Sequence, residues 1–135
     1  MLNDYVYLYI EDDMLSRDIT EKLMRRVLNI KNLHVMDMSA NYLEKVYTLD
    51  PRPTFMLLDI HMHPYSGFDV LKQLRTENLF KDAIFVALTA SVTNDDMRQL
   101  QEAGFNGVIA KPLSIMTFPA LLERISRGEA IWHIM

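Results

Sequence analysis

Short apolar runs alternate with longer segments of helical spacing along the whole chain. Two of these runs, Thr54–Leu58 and Ala83–Leu88, are almost entirely apolar. Strands that are buried on both faces have this composition, which is typical of parallel strands covered by helices. The pattern predicts strands over Tyr5–Ile10, Leu33–Met38, Thr54–Leu58, Ala83–Leu88 and Gly107–Ala110.

The segments between these runs are predicted to be helices. Residues Leu15–Leu28 form an amphipathic segment whose apolar stripe is Leu15, Ile19, Leu23 and Val27. The order of strand then helix, repeated along the chain, predicts an α/β fold with a parallel sheet between two helical layers. The other predicted helices are Ala40–Leu49 capped by Ser39, Phe68–Arg75, Asn94–Ala103 capped by Thr93 and stopped by Gly104, and a last helix from near Thr117 with Pro119 in its first turn.

Polar side chains follow four of the predicted strands at the point where each strand ends. In open parallel sheets, ligands and chemistry gather at the carboxyl ends of the strands. We therefore expect these side chains to lie at one edge of the sheet. They are Glu11, Asp12 and Asp13 after the first strand, Asp59 after the third, Thr89, Ala90 and Ser91 after the fourth, and Lys111 and Pro112 after the fifth.

This combination of side chains favours phosphoryl chemistry. Crowded carboxylates raise one another's pKa unless a cation shares them, and all-oxygen ligands favour Mg²⁺, with Mn²⁺ as a second choice. Lys111 adds an ammonium and Thr89 a hydroxyl, which suit the oxygens of an incoming phosphoryl group. Asp59 is then the nucleophile. Each residue alone has an ordinary explanation, such as a cap or a solvated loop, but their placement at four strand ends favours the functional one.

Composition narrows the class of protein. The chain has 135 residues, enough for one domain with a core, and 50% of them are hydrophobic. A net charge of −4 gives no electrostatic case for direct binding of nucleic acid. The absence of cysteine excludes disulfides and thiol chemistry. No apolar run approaches the roughly 20 residues of a membrane helix, so we expect a cytoplasmic protein that does not contact a membrane.

Four motifs together resemble the receiver domain of bacterial two-component response regulators. They are "YIEDD", "LLDIHM…GFDVL", "ALTAS" and "AKPL", and the resemblance extends from about Tyr5 to Ile125. It implies a flavodoxin-like (βα)5 fold whose five parallel strands are ordered 2-1-3-4-5. It also implies a receiver domain over residues 1–128, followed by a C-terminal tail or the start of a linker over 129–135.

The resemblance implies a role for each matching residue. Asp59 accepts a phosphoryl group from a phosphohistidine on a sensor histidine kinase or a histidine phosphotransfer protein. Asp12 and Asp59 ligate Mg²⁺, Glu11 holds a metal-bound water, and the backbone carbonyl of His61 completes the metal site. Thr89 donates a hydrogen bond to the phosphoryl group and moves toward it.

The remaining site residues are expected to bind or modulate the phosphoryl group. Lys111 pairs with a phosphoryl oxygen, and its bond to Pro112 is expected to be cis. Ala90 is small, as the family prefers at this position. His61 and Ser91 lie two residues after the acceptor and the threonine, where side chains modulate the attack of water, although an exposed loop histidine is an equal alternative for His61.

The sequence departs from the family at two positions. The family usually has proline four residues after the acceptor, where this chain has His63, with Pro64 following it. Val108 occupies the position of the aromatic residue that normally reports the movement of the threonine. Because valine is stiff at χ1 and short, we expect Thr89 to respond to phosphate without a rotamer change at Val108. Phe105 is a substitute reporter, but packing between helix and strand is its expected role.

The expected function is a signalling switch that catalyses only its own phosphotransfer and autodephosphorylation. Phosphorylation would bias two packings of the face formed by the fourth helix, fifth strand and fifth helix, which binds a downstream effector or forms a homodimer. A flavin carrier would need a Ser/Thr/Gly loop in place of "EDDMLSR", and an aspartate phosphatase would need a second Asp at position 61. A degenerate receiver that binds partners without phosphate stays an alternative.

The end of the chain, "GEAIWHIM", is apolar for a free terminus. Ile131, Trp132 and Ile134 could pack back on the domain, mediate self-association or begin a linker to an output domain. The sequence leaves these three alternatives open, together with the cognate kinase, the output and the lifetime of the phosphorylated state.

Overall fold

A five-stranded parallel sheet forms the centre of the molecule in the computed structural model, which describes residues 2–132. The strand order is β2-β1-β3-β4-β5, which confirms the predicted flavodoxin-like α/β architecture. Each predicted strand is present, with its ends within two residues of the predicted bounds. The strands are β1 (Tyr7–Ile10), β2 (Leu33–Met36), β3 (Phe55–Asp59), β4 (Ile84–Thr89) and β5 (Gly107–Ala110).

Helices cover both faces of the sheet. One hydrophobic cluster lies under α2, α3 and α4 and contains Val46, Leu74 and Leu100, while a second lies under α1 and α5 and contains Met24 and Leu122. The predicted three-layer arrangement is therefore confirmed. The helices are α1 (Met14–Lys22), which continues as a π-helical turn over Leu23–Val27, α2 (Tyr42–Tyr47), α3 (Gly67–Arg75), α4 (Asn94–Ala103) and α5 (Phe118–Ser126), and a 3₁₀ turn covers Leu2–Asp4.

Three of the four predicted helix boundary signals are confirmed, including Pro119 in the first turn of α5. The Thr93 side chain accepts a hydrogen bond from the Asp96 amide at the start of α4, and Gly104 ends that helix with a φ of 104°. Ser39 was the wrong cap for α2, because its hydroxyl donates to the Asn41 side chain instead of accepting from the helix. Asn41 occupies the N-cap position without a side-chain cap bond, and α2 is correspondingly short.

The apolar stripe of α1 does not face the core. Leu15, Ile19 and Val27 are 68%, 59% and 50% exposed, whereas Met24 is fully buried and Thr20 is 5% exposed. The periodicity that predicted an amphipathic helix is present, but the sheet packs against the neighbouring, less apolar stripe. The exposed residues therefore leave an apolar band on the surface of the molecule.

The start of the C-terminal tail packs against the sheet. Ile131 forms a parallel bridge with Gly107 on the outer edge of β5, and the Val108 amide donates to the Ile131 carbonyl at 3.0 Å. Trp132 is partly buried against the cluster under α2, α3 and α4. Of the three alternatives for the tail, packing on the domain thus holds for its described part, while Ile134 lies outside the described residues. A domain boundary at residue 128 stays a prediction.

Candidate active site

The register of the sheet brings Glu11 and Asp59 together. Ile10 on β1 pairs with Leu58 on β3, so the next residues, Glu11 and Asp59, lie at the same level. Both carboxyl groups are buried, because Glu11 is 0% and Asp59 is 4% exposed. Two acidic side chains thus share one water-poor position at the carboxyl edge of the sheet.

The loop after β3 folds tightly over Asp59. The Gly67 amide donates to the Ile60 carbonyl at 3.1 Å, and a Cβ atom at position 67 would lie 2.6 Å from the Asp59 carbonyl oxygen. Only glycine allows this approach, which explains the Gly67 of the turn that follows the phosphoacceptor motif. The start of α3 therefore holds the Asp59 backbone in place.

Lys111 provides the positive charge of the site. Thr89 pairs with Ala110 at the end of β4 and β5, and the Lys111 amide donates to the Thr89 carbonyl at 2.9 Å. From this position the Lys111 Nζ lies 2.8 Å from Glu11 Oε1 and 3.3 Å from Asp59 Oδ1. The ammonium thus bridges the two buried carboxyl groups, at the edge of the sheet where the strand-end argument places all three residues.

The site shifts the pKa values of Glu11, Asp59 and Lys111 in different directions. Burial, together with the hydrogen bond and the charge of Glu11, raises the pKa of Asp59 to about 7 against the opposing effect of Lys111. Burial opposes ionisation of Glu11, but hydrogen bonds with Asp59 and Lys111 outweigh it and lower the pKa of Glu11. Lys111 keeps its proton, since its carboxylate partners raise its pKa despite burial. The single ammonium of Lys111 therefore neutralises the charge of Glu11 but not that of Asp59 as well.

Asp12 is turned toward the loop that follows Asp59. It is exposed, and its Oδ2 accepts a hydrogen bond from the His63 amide at 2.9 Å. Within residues 2–132, no three acidic or histidine side chains form a ready-made metal cluster. The donor chemistry nevertheless fits a hard divalent cation, because Glu11, Asp12 and Asp59 all offer oxygen atoms at one edge and the site has an excess of carboxylate.

Thr89 is hydrogen-bonded within its own turn. The side chain is 3% exposed, and its Oγ1 accepts from the Ser91 amide at 3.0 Å and donates to the Ser91 carbonyl at 3.3 Å. The Ser91 hydroxyl donates to Asp96, whose carboxylate also accepts from Thr93 at the start of α4. These bonds lower the pKa of Asp96 and connect Thr89 to α4. From sequence alone, Asp96 is only an acidic residue suited to the start of a helix.

The residues expected to modulate hydrolysis lie around Thr89. His61 is exposed and lines a small cavity of about 90 Å³ together with Thr89, Ser91 and Asp96. Ala90 lies between Thr89 and Ser91 in the sequence and is exposed. The positions allow both the modulating role of His61 and that of an ordinary loop histidine, so the role stays a prediction.

One departure from the family pattern lies in the loop between β3 and α3, and the other lies on β5. The His63–Pro64 peptide bond is cis, as is the Lys111–Pro112 bond. Val108 is fully buried, and Phe105 is 4% exposed and packs edge-to-face on Phe68 with ring centroids 5.9 Å apart. This geometry agrees with a packing role for Phe105.

Sequence reasoning missed two contacts of Glu11. The Tyr9 hydroxyl donates to Glu11 Oε1 at 3.2 Å, and the Arg17 guanidinium donates to the Glu11 backbone carbonyl at 2.9 Å. The available signal was the alternation along β1, which places Tyr9 and Glu11 on the same side of the strand. These contacts fix the orientation of Glu11 beside Asp59.

Comparison with known proteins agrees with this geometry. The model of the response regulator receiver domain matches residues 7–124. The chain belongs to this family. Receiver domains are signalling modules of two-component systems, and the four strand-end motifs all lie within the matched range.

Individual relatives show the same family and fold. The receiver domain is 32% identical over 124 residues to the nitrate/nitrite response regulator protein homolog of Haemophilus influenzae, covering 92% of the chain and 58% of that protein. It superposes on the bacteriophytochrome response regulator RtBRR with a TM-score of 0.75 and 25% identity, covering 93% and 78% of the two chains. It also matches the receiver domain of the sensor histidine kinase PA1611 from Pseudomonas aeruginosa, with a TM-score of 0.72, 20% identity and coverage of 90% of this chain and 98% of that chain. That structure has a magnesium ion in its active-site cleft.

The chain thus spans little more than half of the first of these relatives. No helix within residues 2–132 is long and apolar enough to cross a membrane.

Replacing Asp59 by asparagine tests the electrostatic account of the receiver site. Above pH 7 the folded protein must hold Asp59 ionised beside Glu11, whereas the unfolded chain ionises it freely near its usual pKa of 3.8. Asp59→Asn is therefore expected to raise the free energy of unfolding at pH 8 by about 1–3 kcal/mol without Mg²⁺. The gain should shrink as the pH falls from 7 toward 4, because wild-type Asp59 then becomes protonated in both states.

Urea unfolding at several pH values measures this difference. Asp82→Asn, an exposed change before β4 at the opposite edge of the sheet, is the matched control and should be neutral. A stability gain for Asp59→Asn that is as large at pH 5 as at pH 8 would contradict the account.

Proposed function

We propose that the chain is a phosphoacceptor receiver domain in which Asp59 takes a phosphoryl group from a phosphohistidine. An Asp59 carboxylate oxygen attacks the phosphorus, the bond from phosphorus to the histidine nitrogen breaks, and that nitrogen keeps the bonding electron pair. The observation that carries the proposal is a buried carboxyl group 3.3 Å from the Lys111 ammonium, at the carboxyl edge of the parallel sheet.

A divalent cation is part of the proposal. Asp12, Asp59 and the His61 backbone carbonyl would bind Mg²⁺, or Mn²⁺, with Glu11 holding a metal-bound water. When bound, the cation supplies charge neutralisation for Asp59 and for the phosphoryl oxygens. Asp12 must first lose the hydrogen bond that its carboxylate accepts from the His63 amide at 2.9 Å. The magnesium ion in the related receiver domain of PA1611 supports this assignment.

Lys111 and Thr89 are proposed to bind the transferred group. Lys111 already reaches Asp59, so it can neutralise a phosphoryl oxygen without a large movement. Thr89 must exchange its two hydrogen bonds with the Ser91 backbone for one to the phosphoryl group. The small Ala90 leaves space beside that group, while His61 and Ser91 would influence how fast water hydrolyses the acyl phosphate.

The output is proposed to act through the face formed by α4, β5 and α5. A downstream effector or a second copy of the chain would bind there after phosphorylation. The intact set of Asp12, Asp59, Thr89 and Lys111 argues against the degenerate alternative, in which partners bind without phosphate. A cytoplasmic location, with no direct contact to nucleic acid or membrane, belongs to the same proposal and rests on the net charge of −4 and on a kinase as partner.

The exposed band on α1 is the surface we propose for docking of the phosphodonor. Ile19 and Leu23 line a cavity that also includes Lys111, Pro112 and Leu113, so the band continues to the edge of the active site. A helix of a histidine kinase or phosphotransfer protein could lay an apolar face on this band and present its phosphohistidine to Asp59.

Phosphorylation by a small donor tests the proposed function. Incubation with phosphoramidate and Mg²⁺, followed by intact mass spectrometry, is expected to show the gain of one phosphoryl group. Asp59→Asn should show none, and chelation of the metal should strongly reduce the gain in the wild type. Asp82→Asn is the control for loss of an acidic residue elsewhere. Absence of any gain in the wild type would refute the proposal.

Docking on α1 predicts a separation between donors. Ile19→Lys is expected to slow transfer from a phosphorylated histidine phosphotransfer protein by roughly tenfold or more, because a charge then enters an apolar contact. Phosphoramidate needs no docking surface, so the same variant should react with it at the wild-type rate. Equal loss with both donors would instead indicate damage to the site itself.

A further inference from the structure

The C-terminal segment 129–132 closes an edge that the sheet would otherwise leave open. β5 is the last strand in the order, so its outer side has no neighbouring strand. Ile131 supplies a parallel bridge to Gly107, accepts from the Val108 amide at 3.0 Å and is only 6% exposed. The unpaired edge of a sheet can hydrogen-bond to an additional strand. This short segment therefore covers a site for β-strand addition.

Trp132 anchors the segment by packing on the core cluster of the sheet face that α2, α3 and α4 cover, and this position is called its seat. It follows Ile131, so alternation directs it to the opposite face of the sheet, and it packs on the cluster that contains Leu100 and Val108. Its Nε1 is buried and has no hydrogen-bond partner. A buried donor without an acceptor is costly, so the seat is held by apolar packing alone and is easier to empty than a fully satisfied core position.

Two elements that contribute to this cluster, β5 through Val108 and α4 through Leu100, are hydrogen-bonded to the active site. The strand β5 carries Val108 and ends at Lys111, which contacts Asp59. The first turn of α4 contains Asp96, which accepts from the Ser91 hydroxyl, and the Ser91 amide in turn donates to the Thr89 hydroxyl. A phosphoryl group on Asp59 replaces the single carboxylate charge with about two charges on the phosphoryl oxygens. These oxygens attract the Lys111 ammonium and accept a hydrogen bond from Thr89, so phosphorylation acts on both β5 and α4.

We propose that segment 129–132 is a cover that phosphorylation releases from the α4–β5–α5 face. Trp132 anchors this segment. Its release would report phosphorylation in place of the rotamer change that the short, fully buried Val108 cannot make. The proposal rests on the proposed function and deepens it, since it names the element that the phosphoryl group moves. The uncovered edge of β5 and the emptied seat then become available to the effector.

Trp132 is the only tryptophan in the chain, so its fluorescence reports the cover directly. Beryllofluoride with Mg²⁺ forms a non-covalent analogue of an aspartyl phosphate and serves as the probe. Its addition to the full chain is expected to shift the emission to longer wavelength and to increase quenching by acrylamide, because the indole enters water. Asp59→Asn should show neither change.

Thermodynamic linkage gives a second, reciprocal readout. If the analogue releases the cover, loss of the anchor must strengthen binding of the analogue. Trp132→Ala is expected to bind beryllofluoride and Mg²⁺ at least about fivefold more tightly in an NMR titration. Tyr47→Ala, which removes a 40% exposed aromatic ring that packs on Phe80 away from β5, is the matched control and should bind with wild-type affinity.

The outcomes separate this inference from the function on which it depends. Stoichiometric binding of the analogue with unchanged emission, or equal affinity of Trp132→Ala and the wild type, would overturn the cover while leaving the phosphoacceptor site intact. Failure of the wild type to bind the analogue and to gain mass with phosphoramidate would overturn the proposed function, and the cover with it.

Discussion

Burial of Asp59 beside Glu11, with Lys111 as their shared cation, is the constraint on which the site depends. Two carboxyl groups and one ammonium leave a deficit of positive charge, which is why burial and Glu11 raise the pKa of Asp59 to about 7. A structure built only for stability would have no reason to keep this arrangement. The deficit makes chemical sense for a site that receives a divalent cation and then a phosphoryl group.

Parallel strand register explains why so much of the site could be predicted from sequence. Glu11, Asp59 and Lys111 each follow a short apolar run, and strands that run parallel must end at one edge. Local signals were equally reliable where one residue type meets one backbone need, as with Thr93 at the start of α4 and Gly104 at its end. These predictions required no knowledge of tertiary contacts.

Other features could not be predicted because they depend on which surfaces meet. Helical periodicity identified an apolar stripe on α1 but not the side that faces the sheet, and the structure leaves Leu15 and Ile19 exposed. The hydrogen bonds from the His63 amide to Asp12 and from the Ser91 hydroxyl to Asp96 join residues whose pairing has no sequence signature. The return of Ile131 to the edge of β5 is likewise a long-range contact, and it connects the tail to the output face.

The central claim is that Asp59, and no other acidic residue of the crowded edge, becomes the acyl phosphate. Borohydride reduces an aspartyl phosphate to homoserine, which permanently marks the phosphorylated position. Peptide mapping by mass spectrometry after phosphoramidate treatment and reduction is predicted to find homoserine at position 59 alone. Conversion at Asp12 or Asp13, or a phosphoryl group that resists reduction, would contradict the account.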